Sequence, residues 1–171
     1  MPEMSEPRVV FAHGKESGPW GSKIQHLAAI ARSQGFAVES LDYSDLMDAS
    51  ARVERLLAHA PTGTPLMLVG SSMGGYVAAM ACEALAPDAL LLMAPALYLE
   101  GYPGDPSHCP DDTVVIHGWD DDIVPLEGSY AFASARRAAL HVVADGHRLA
   151  ESIELIGELF SAQLQRARDR G

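Results

Sequence analysis

Short apolar runs alternate with longer amphipathic stretches along the chain. The runs are too short for core helices and are bounded by turn residues, so each predicts a buried strand. They cover residues 8–12, 66–69, 89–93, 113–116 and 140–143. Residues 37–41 alternate more and are more polar, which predicts an edge strand. The pattern therefore predicts six strands.

Between these strands, apolar residues recur at helical spacing. The spacing predicts helices over residues 22–34, 50–60, 73–86, 126–138 and 149–166. Ser22 is the candidate N-cap of the first helix, and Gly35 is its candidate C-terminal stop. The helix over residues 73–86 is almost wholly apolar and should be the most buried. Alternation of strands and helices predicts a parallel sheet covered by helices on both faces.

The chain shows no linker or internal repeat, so we expect a single domain over residues 1–171. Its longest irregular connection covers residues 94–112 and is rich in proline, glycine and tyrosine. Connections of this length in a small domain are often functional, which makes this one a candidate binding loop.

The segment from Gly70 to Gly74, GSSMG, matches the pattern G-x-S-x-G. It follows a predicted strand directly and opens the most apolar helix, as the nucleophile turn of a serine hydrolase requires. Such a turn exposes the serine hydroxyl, and the helix N-terminus attracts negative charge. The alternative is a glycine-rich turn with two capping serines. We predict that Ser72 is the nucleophile and that Ser71 is structural.

Two phosphate-binding patterns fail on single residues. A Walker A loop ending near Lys15 would need glycine where Val9 stands and serine or threonine where Glu16 stands. A dinucleotide-binding fingerprint through Gly70 would need a glycine at position 72.

A serine nucleophile needs a base, and histidine titrates in the suitable range. Among seven histidines, His147 comes just after the last predicted strand, at the sheet edge where open parallel sheets bind ligands. His117 and His13 also end strands, whereas His141 lies inside one and should be packed. No informative context surrounds His26, His59 and His108. We therefore favour His147 as the base.

The base needs a carboxylate that orients the imidazole and stabilises its charged form. Three aspartates, Asp120, Asp121 and Asp122, follow the strand over residues 113–116. The order of serine, aspartate and histidine along the chain suits a hydrolase of this architecture. The pattern alone does not choose among the three, and Asp145 is a further candidate. At least two of the three are expected to be solvated turn residues.

Charge and composition narrow the choice of partners. The formal net charge of −11 argues against nucleic acid, which needs a basic surface. The two cysteines, Cys82 and Cys109, form no metal-binding or disulfide pattern, and Cys82 should be buried in its helix. The N-terminal segment MPEMSEPR has no features of a signal peptide, and no apolar stretch approaches the length of a membrane span. We expect a cytoplasmic protein that binds neither membrane nor nucleic acid.

Four segments, VVFAHGKESG, GSSMGG, HGWDDDIVP and DGHRL, resemble those of small lidless α/β-hydrolases, a group that includes bacterial serine esterases, thioesterases and dienelactone-hydrolase-like proteins. The resemblance covers essentially the whole chain. In such proteins HGxxDxxVP carries the triad acid at its fifth position, which implies Asp121, and the segment ending in GH carries the base, which implies His147. It also implies an oxyanion hole made by the backbone N–H groups of Lys15 and Met73. Lys15-Glu16 departs from the glycine-rich oxyanion loop of lipases.

The resemblance implies a minimal α/β-hydrolase with strand order 2-1-3-4-5-6. It implies a serine esterase or thioesterase that forms an acyl-enzyme on Ser72 and needs no cofactor or metal. Residues 94–112 are too few for a helical lid, so small or short-chain esters or thioesters are the expected substrates. The apolar side chains of Tyr98, Leu99, Tyr102 and Trp119 could line the substrate site or pack loops. Two alternatives stay open: a non-catalytic binding protein, or an acyltransferase or lyase on the same scaffold.

Overall fold

The computed structural model describes residues 5–170; residues 1–4, part of the segment without signal-peptide features, lie outside it. Within residues 5–170, six strands form one sheet: β1 Arg8–Ala12, β2 Ala37–Ser40, β3 Leu66–Ser71, β4 Ala89–Met93, β5 Asp112–Gly118 and β6 Ala139–Val143. All neighbouring strands are parallel, and their order is β2-β1-β3-β4-β5-β6. The predicted strand number, direction and order are confirmed.

In the described part of the chain, five helices cover the two faces of this sheet: α1 Ser22–Ser33, α2 Ala49–His59, α3 Met73–Leu85, α4 Leu126–Arg136 and α5 Ile153–Arg170. Side chains from α2, α3 and α4 build the core on one face, including Leu56, Val77 and Phe132. Side chains from α1 and α5, including Leu27 and Phe160, build the core on the other. None of the helices in this part of the chain is both long and apolar enough to cross a membrane.

The helix that follows Ser72, α3, is the most buried one in residues 5–170, as predicted. Nine of the thirteen residues of α3 are buried, and Cys82 is among them. Its first turn packs so closely on the end of β1 that a Cβ at Gly74 would overlap the carbonyl oxygen of Ala12. Glycine at position 74 therefore allows the turn after β3 to lie directly against the end of β1.

Several predicted element ends are wrong by a few residues. The N-cap of α1 is Gly21 rather than Ser22, which is the first helical residue. β3 continues beyond residue 69, because Gly70 and Ser71 still pair with β4. A 3₁₀ turn over Ala150–Ser152 precedes α5, so the last helix begins later than predicted. Gly35 stops α1 as expected, at a φ of +85° that favours glycine.

Candidate active site

Ser72 stands alone between β3 and α3, in a backbone conformation that is unusual for a residue with a side chain. Its φ is +55° and its ψ is −118°. It occupies the N-cap position of α3, but its hydroxyl caps no helix N–H. Instead Oγ lies 3.1 Å from Nε2 of His147. Ser72 is therefore not a helix-capping serine. Ser71 belongs to the last residue pair between β3 and β4.

His147 lies in the loop after β6 and connects Ser72 to a carboxylate. Its Nδ1 is 2.8 Å from Oδ2 of Asp121, across a sequence separation of 26 residues. A carboxylate only accepts, so Nδ1 carries the proton and Nε2 is free to accept from the Ser72 hydroxyl. The three side chains form one continuous line of hydrogen bonds, with the imidazole in the tautomer that a general base requires.

Asp121 is the best-anchored of the three consecutive aspartates. Its side chain is 1% exposed, and Oδ1 accepts from the N–H groups of Ile123 (2.9 Å) and Val124 (2.8 Å). Burial acts to raise the pKa of this carboxyl, but the bonds from Val124, His147 and Ile123 outweigh it and lower the pKa below its usual 3.8. Asp121 therefore stays charged while it faces His147. Asp120 and Asp122 are exposed.

A second imidazole, that of His117, faces the same carboxylate. The sequence indicated His117 only as an alternative to His147 for the base. It is fully buried at the end of β5, with Nε2 2.9 Å from the carbonyl oxygen of Val124 and 3.2 Å from Oδ2 of Asp121. Both neighbours accept, so Nε2 carries a proton and Nδ1 accepts from the Ser129 hydroxyl at 2.8 Å. The sequence signal for this supporting role was the position of His117 at the end of an apolar strand, because a buried imidazole needs hydrogen-bond partners.

Asp145, the other candidate acid, is committed to its own loop. Its Oδ1 accepts from the N–H of Gly146, and its Oδ2 accepts from the N–H of Glu151 and the hydroxyl of Ser152. These bonds tie the loop that carries His147 to the 3₁₀ turn before α5. Asp145 shapes the loop, whereas Asp121 contacts the imidazole.

Within residues 5–170, none of the other histidines forms a hydrogen bond with the Ser72 hydroxyl. His13 is fully buried and bonds to the backbone of Gly14 and Tyr43. His141 is half-buried in β6. The remaining three, His26, His59 and His108, are exposed.

Two backbone N–H groups, those of Met73 and Lys15, belong to the turns that meet at Ser72. Met73 is the first residue of α3, so its N–H has no acceptor inside the helix. The turn after β1 lies next to Ser72: a Cβ on Gly14 would be in ordinary contact, 3.6 Å from Cβ of Ser72. The N–H of Lys15 follows in this turn. Within residues 5–170, neither the Lys15 nor the Met73 N–H donates to another protein group.

The four residues that could line the substrate site have different surroundings, and Tyr102 packs edge-on against Tyr76. The connection over residues 94–111 begins against Ser72, since the Ala96 N–H donates to the Ser72 carbonyl oxygen. Tyr98 turns its hydroxyl away to Asp105 (2.7 Å), and Leu99 is half-buried. Trp119 is 65% exposed, beside the loop of Asp121.

A shallow pocket of about 410 Å³ adjoins this loop and is lined by Trp119, Ile123, Pro125 and Leu126 together with the acidic residues Asp121, Asp122 and Glu127. A second pocket of about 440 Å³ lies around Cys82, Cys109 and Arg136, and none of its lining residues belongs to the site described above.

Solved structures from several organisms share this fold. A protein from Xanthomonas campestris pv. campestris, assigned to the hydrolases of the alpha/beta superfamily, is 34% identical, with a TM-score of 0.85 over 95% of this chain and 99% of its own. Est1E from Butyrivibrio proteoclasticus is 19% identical, with a TM-score of 0.78 over 98% and 90%. A serine hydrolase without lid from Xanthomonas campestris is 23% identical, with a TM-score of 0.64 over 97% and 85%.

The sequence comparisons agree with the structural ones. The family described as "Uncharacterised protein family (UPF0227)" matches residues 8–103, more than half of the chain. No curated protein matches the chain significantly. The family match includes the turns after β1 and β3, and the 34% identical structure covers 95% of the chain. The chain therefore belongs to the family UPF0227 and to the small hydrolases of the α/β superfamily.

Proposed function

We propose that this hydrolase cleaves small or short-chain carboxylic esters or thioesters through an acyl-enzyme on Ser72. The observation that carries the proposal is the line of hydrogen bonds from Ser72 Oγ through His147 to Asp121. It starts at an N-cap serine whose hydroxyl caps nothing. A serine in this setting has a base for its proton and a hydroxyl that is not engaged as a helix cap.

In the first half-reaction, Ser72 Oγ attacks the carbonyl carbon while Nε2 of His147 takes the hydroxyl proton. Asp121 stabilises the imidazolium that forms. The tetrahedral intermediate collapses, the bond to the leaving oxygen or sulfur breaks, and His147 gives its proton to the departing alcohol or thiol. The acyl group is then esterified to Ser72.

In the second half-reaction, water attacks the acyl carbon as His147 takes its proton. The bond to Ser72 Oγ breaks, Oγ regains a proton from His147, and a carboxylic acid leaves. In both halves the carbonyl oxygen becomes an oxyanion. The N–H groups of Lys15 and Met73 are the proposed donors to it, and removing one such donor typically costs 10²–10³ in kcat.

The proposed substrate size follows from the surroundings of Ser72. Residues 94–111 contain neither a helix nor a strand, so they build no helical cap over the nucleophile. Trp119 and Ile123 offer an exposed apolar surface beside Asp121, where a short acyl or alcohol group would lie. Tyr98 and Leu99 stay proposals as further wall residues.

Three expectations from the sequence stay predictions. They are that residues 1–171 act as one α/β-hydrolase domain, that the protein is cytoplasmic, and that turnover needs no cofactor or metal. Nucleic acid is not an expected partner, given the net charge of −11.

A fluorophosphonate probe tests the nucleophile. Wild type should be labelled, Ser72→Ala should not, and Ser71→Ala is the matched control that should label normally. Labelling that is lost in Ser71→Ala and kept in Ser72→Ala would contradict the assignment.

Product analysis tests the reaction class. Turnover of p-nitrophenyl acetate and acetyl thioesters in H₂¹⁸O should place the label in the acid product, as hydrolysis requires. Acyl transfer to an added alcohol with no labelled acid would indicate an acyltransferase. Turnover no faster than that of Ser72→Ala would indicate a binding protein.

A further inference from the structure

A fully buried guanidinium lies behind the turn that follows β1. Arg52, on α2, is 0% exposed. It packs over the ring of Tyr43, with the guanidinium carbon Cζ 5.6 Å from the ring centroid. Its Nε donates to the carbonyl oxygen of Leu46 at 2.8 Å. Its Nη1 lies 3.2 Å from two further carbonyl oxygens, those of His13 and Gly14.

This cation has no carboxylate partner among residues 5–170. A buried charge is costly unless it is paired, because it leaves water without a counterion. Here the groups that neutralise it are backbone carbonyl dipoles, and two of the three belong to the turn beside Ser72. The positive charge of Arg52 therefore acts on the peptide units of that turn.

The Gly14 carbonyl oxygen is held from two sides. Besides Nη1 of Arg52, it lies 2.7 Å from Nδ1 of His13. A carbonyl only accepts, so Nδ1 carries the proton, and Nε2 of His13 is left to accept from the Tyr43 N–H at 2.9 Å. The orientation of this carbonyl is thus fixed by a charged donor and a neutral one.

The orientation of a carbonyl fixes the N–H of the next residue. The Gly14 C=O and the Lys15 N–H belong to one planar peptide unit, in which the two bonds point in opposite directions. Because the oxygen points toward Arg52 and His13, the Lys15 N–H points away from them. The same turn lies next to Ser72, since a Cβ placed on Gly14 would be 3.6 Å from Cβ of Ser72.

We propose that Arg52 is a positioning residue for the oxyanion hole: together with His13 it holds the Gly14 carbonyl oxygen and thereby aims and polarises the Lys15 N–H. This inference rests on the proposed function. A charge-assisted bond to the carbonyl oxygen polarises the peptide unit and makes its N–H a stronger donor. Since the oxyanion exists only in and near the transition state, the effect belongs in kcat rather than in KM.

Arg52→Met tests this, with Arg55→Met as the matched control. Arg55 lies on the same helix, pairs with Asp45, donates to the Asp42 carbonyl oxygen and, within residues 5–170, forms no hydrogen bond with the turn after β1. We expect Arg52→Met to lower kcat by roughly 10–100-fold, below the 10²–10³ typical of losing a whole donor. KM should change less than about 3-fold. Arg55→Met should keep wild-type kcat.

A trifluoromethyl ketone supplies the measurement that a merely structural role would not move. Its adduct with Ser72 carries an oxyanion, so its affinity should fall in Arg52→Met by the same factor as kcat/KM. Unfolding curves of each variant confirm that the comparison is between folded proteins. If Arg52→Met does not fold, Arg52→Gln, which retains a polar donor but no charge, takes its place with the same expected pattern.

Different results would overturn the proposed function and the role of Arg52. Absence of fluorophosphonate labelling at Ser72 in wild type would overturn the proposed function. Normal labelling and turnover in wild type, with kcat and ketone affinity both kept within about 3-fold in a folded Arg52 variant, would overturn the role of Arg52 alone. A rise in KM at constant kcat would also overturn it.

Discussion

Nε2 of the buried His117 lies 3.2 Å from Oδ2 of Asp121, the same oxygen that accepts from His147. One carboxylate oxygen thus faces two imidazoles, one buried and one adjoining Ser72. The buried ring is held by Ser129 and by the Val124 carbonyl, so it fixes the side chain of Asp121 from behind.

Replacing His117 should impair both stability and turnover. In His117→Leu, the Val124 carbonyl and the Ser129 hydroxyl lose a buried partner, at about 1–3 kcal/mol for each unsatisfied group. The ring also lies 3.2 Å from Oδ2 of Asp121. We expect its loss to cost about 1.4–2.7 kcal/mol of transition-state stabilisation, so kcat/KM should fall by roughly 10–100-fold. Chemical denaturation and steady-state kinetics measure the two effects. His117→Gln, which keeps a donor, should lose less; wild-type kcat/KM in folded His117→Leu would show that the ring only packs.

The three consecutive aspartates should differ sharply in kinetics. Asp121→Asn should lower kcat by about 10²–10⁴, because the amide no longer stabilises the imidazolium or holds its tautomer. Asp120→Asn and Asp122→Asn, at exposed positions, should change kcat by about 2-fold or less, as surface substitutions usually do. Similar mild losses at all three positions, with a large loss in Asp145→Asn, would place the acid at position 145.

Stability should decrease in mildly acidic solution because of His13. Burial lowers its pKa below the usual 6.5, against the opposing effect of the Gly14 bond; the nearby charges are Arg52, which lowers the pKa, and Asp42, which raises it. Between the lowered folded pKa and 6.5 the unfolded chain binds more protons, so the free energy of unfolding falls as pH falls through this window. Protonation also removes the acceptor for the Tyr43 N–H.

Denaturant titrations of wild type and His13→Gln from pH 8 to pH 5 measure this contribution. The variant should show a smaller slope of unfolding free energy against pH than wild type. Equal slopes in wild type and His13→Gln would mean that His13 does not titrate in this window.

The backbone conformation at Ser72 should lower the free energy of unfolding of the wild-type protein. A residue with a side chain at such a positive φ is strained by about 1–3 kcal/mol, and glycine is not. Ser72→Gly should therefore unfold at a higher denaturant concentration than Ser72→Ala, although neither turns over substrate. Ser71→Gly is the control with the opposite sign, since glycine in a strand destabilises by about 0.5–1 kcal/mol. A Ser72→Gly variant less stable than Ser72→Ala would contradict the strain.

The rate should depend on acyl chain length as expected of an uncovered site. Each extra methylene buried in a pocket would add about 0.8 kcal/mol of binding, which a site without a cap cannot collect repeatedly. With p-nitrophenyl esters below their micelle concentrations, kcat/KM should peak at short chains and then fall or level off. Addition of an emulsified interface should not raise the rate. A steady rise through long chains would reveal a tunnel, with residues 98–102 the first place to look.

The local sequence determined the elements and their order. Apolar runs without helical spacing formed the strands, and GSSMG between a strand and an apolar helix placed Ser72 at their junction, because both signals depend on neighbouring residues only. The element ends were less well determined, as at β3, where cross-strand pairing to β4 carries the strand into Ser71. Pairing is a contact between segments distant in the chain.

The tertiary structure decided which distant groups meet. Spacing alone left Asp120, Asp121 and Asp122 equivalent; the turn buries the middle one against two backbone N–H groups and two imidazoles and exposes its neighbours. Nothing in the pattern around Arg52 indicated that α2 would bury its guanidinium behind the turn after β1, 38 residues away from Gly14 in the chain. Hydrophobic periodicity places a residue on a face of its helix, but the loop that this face meets depends on how the helix packs against the sheet.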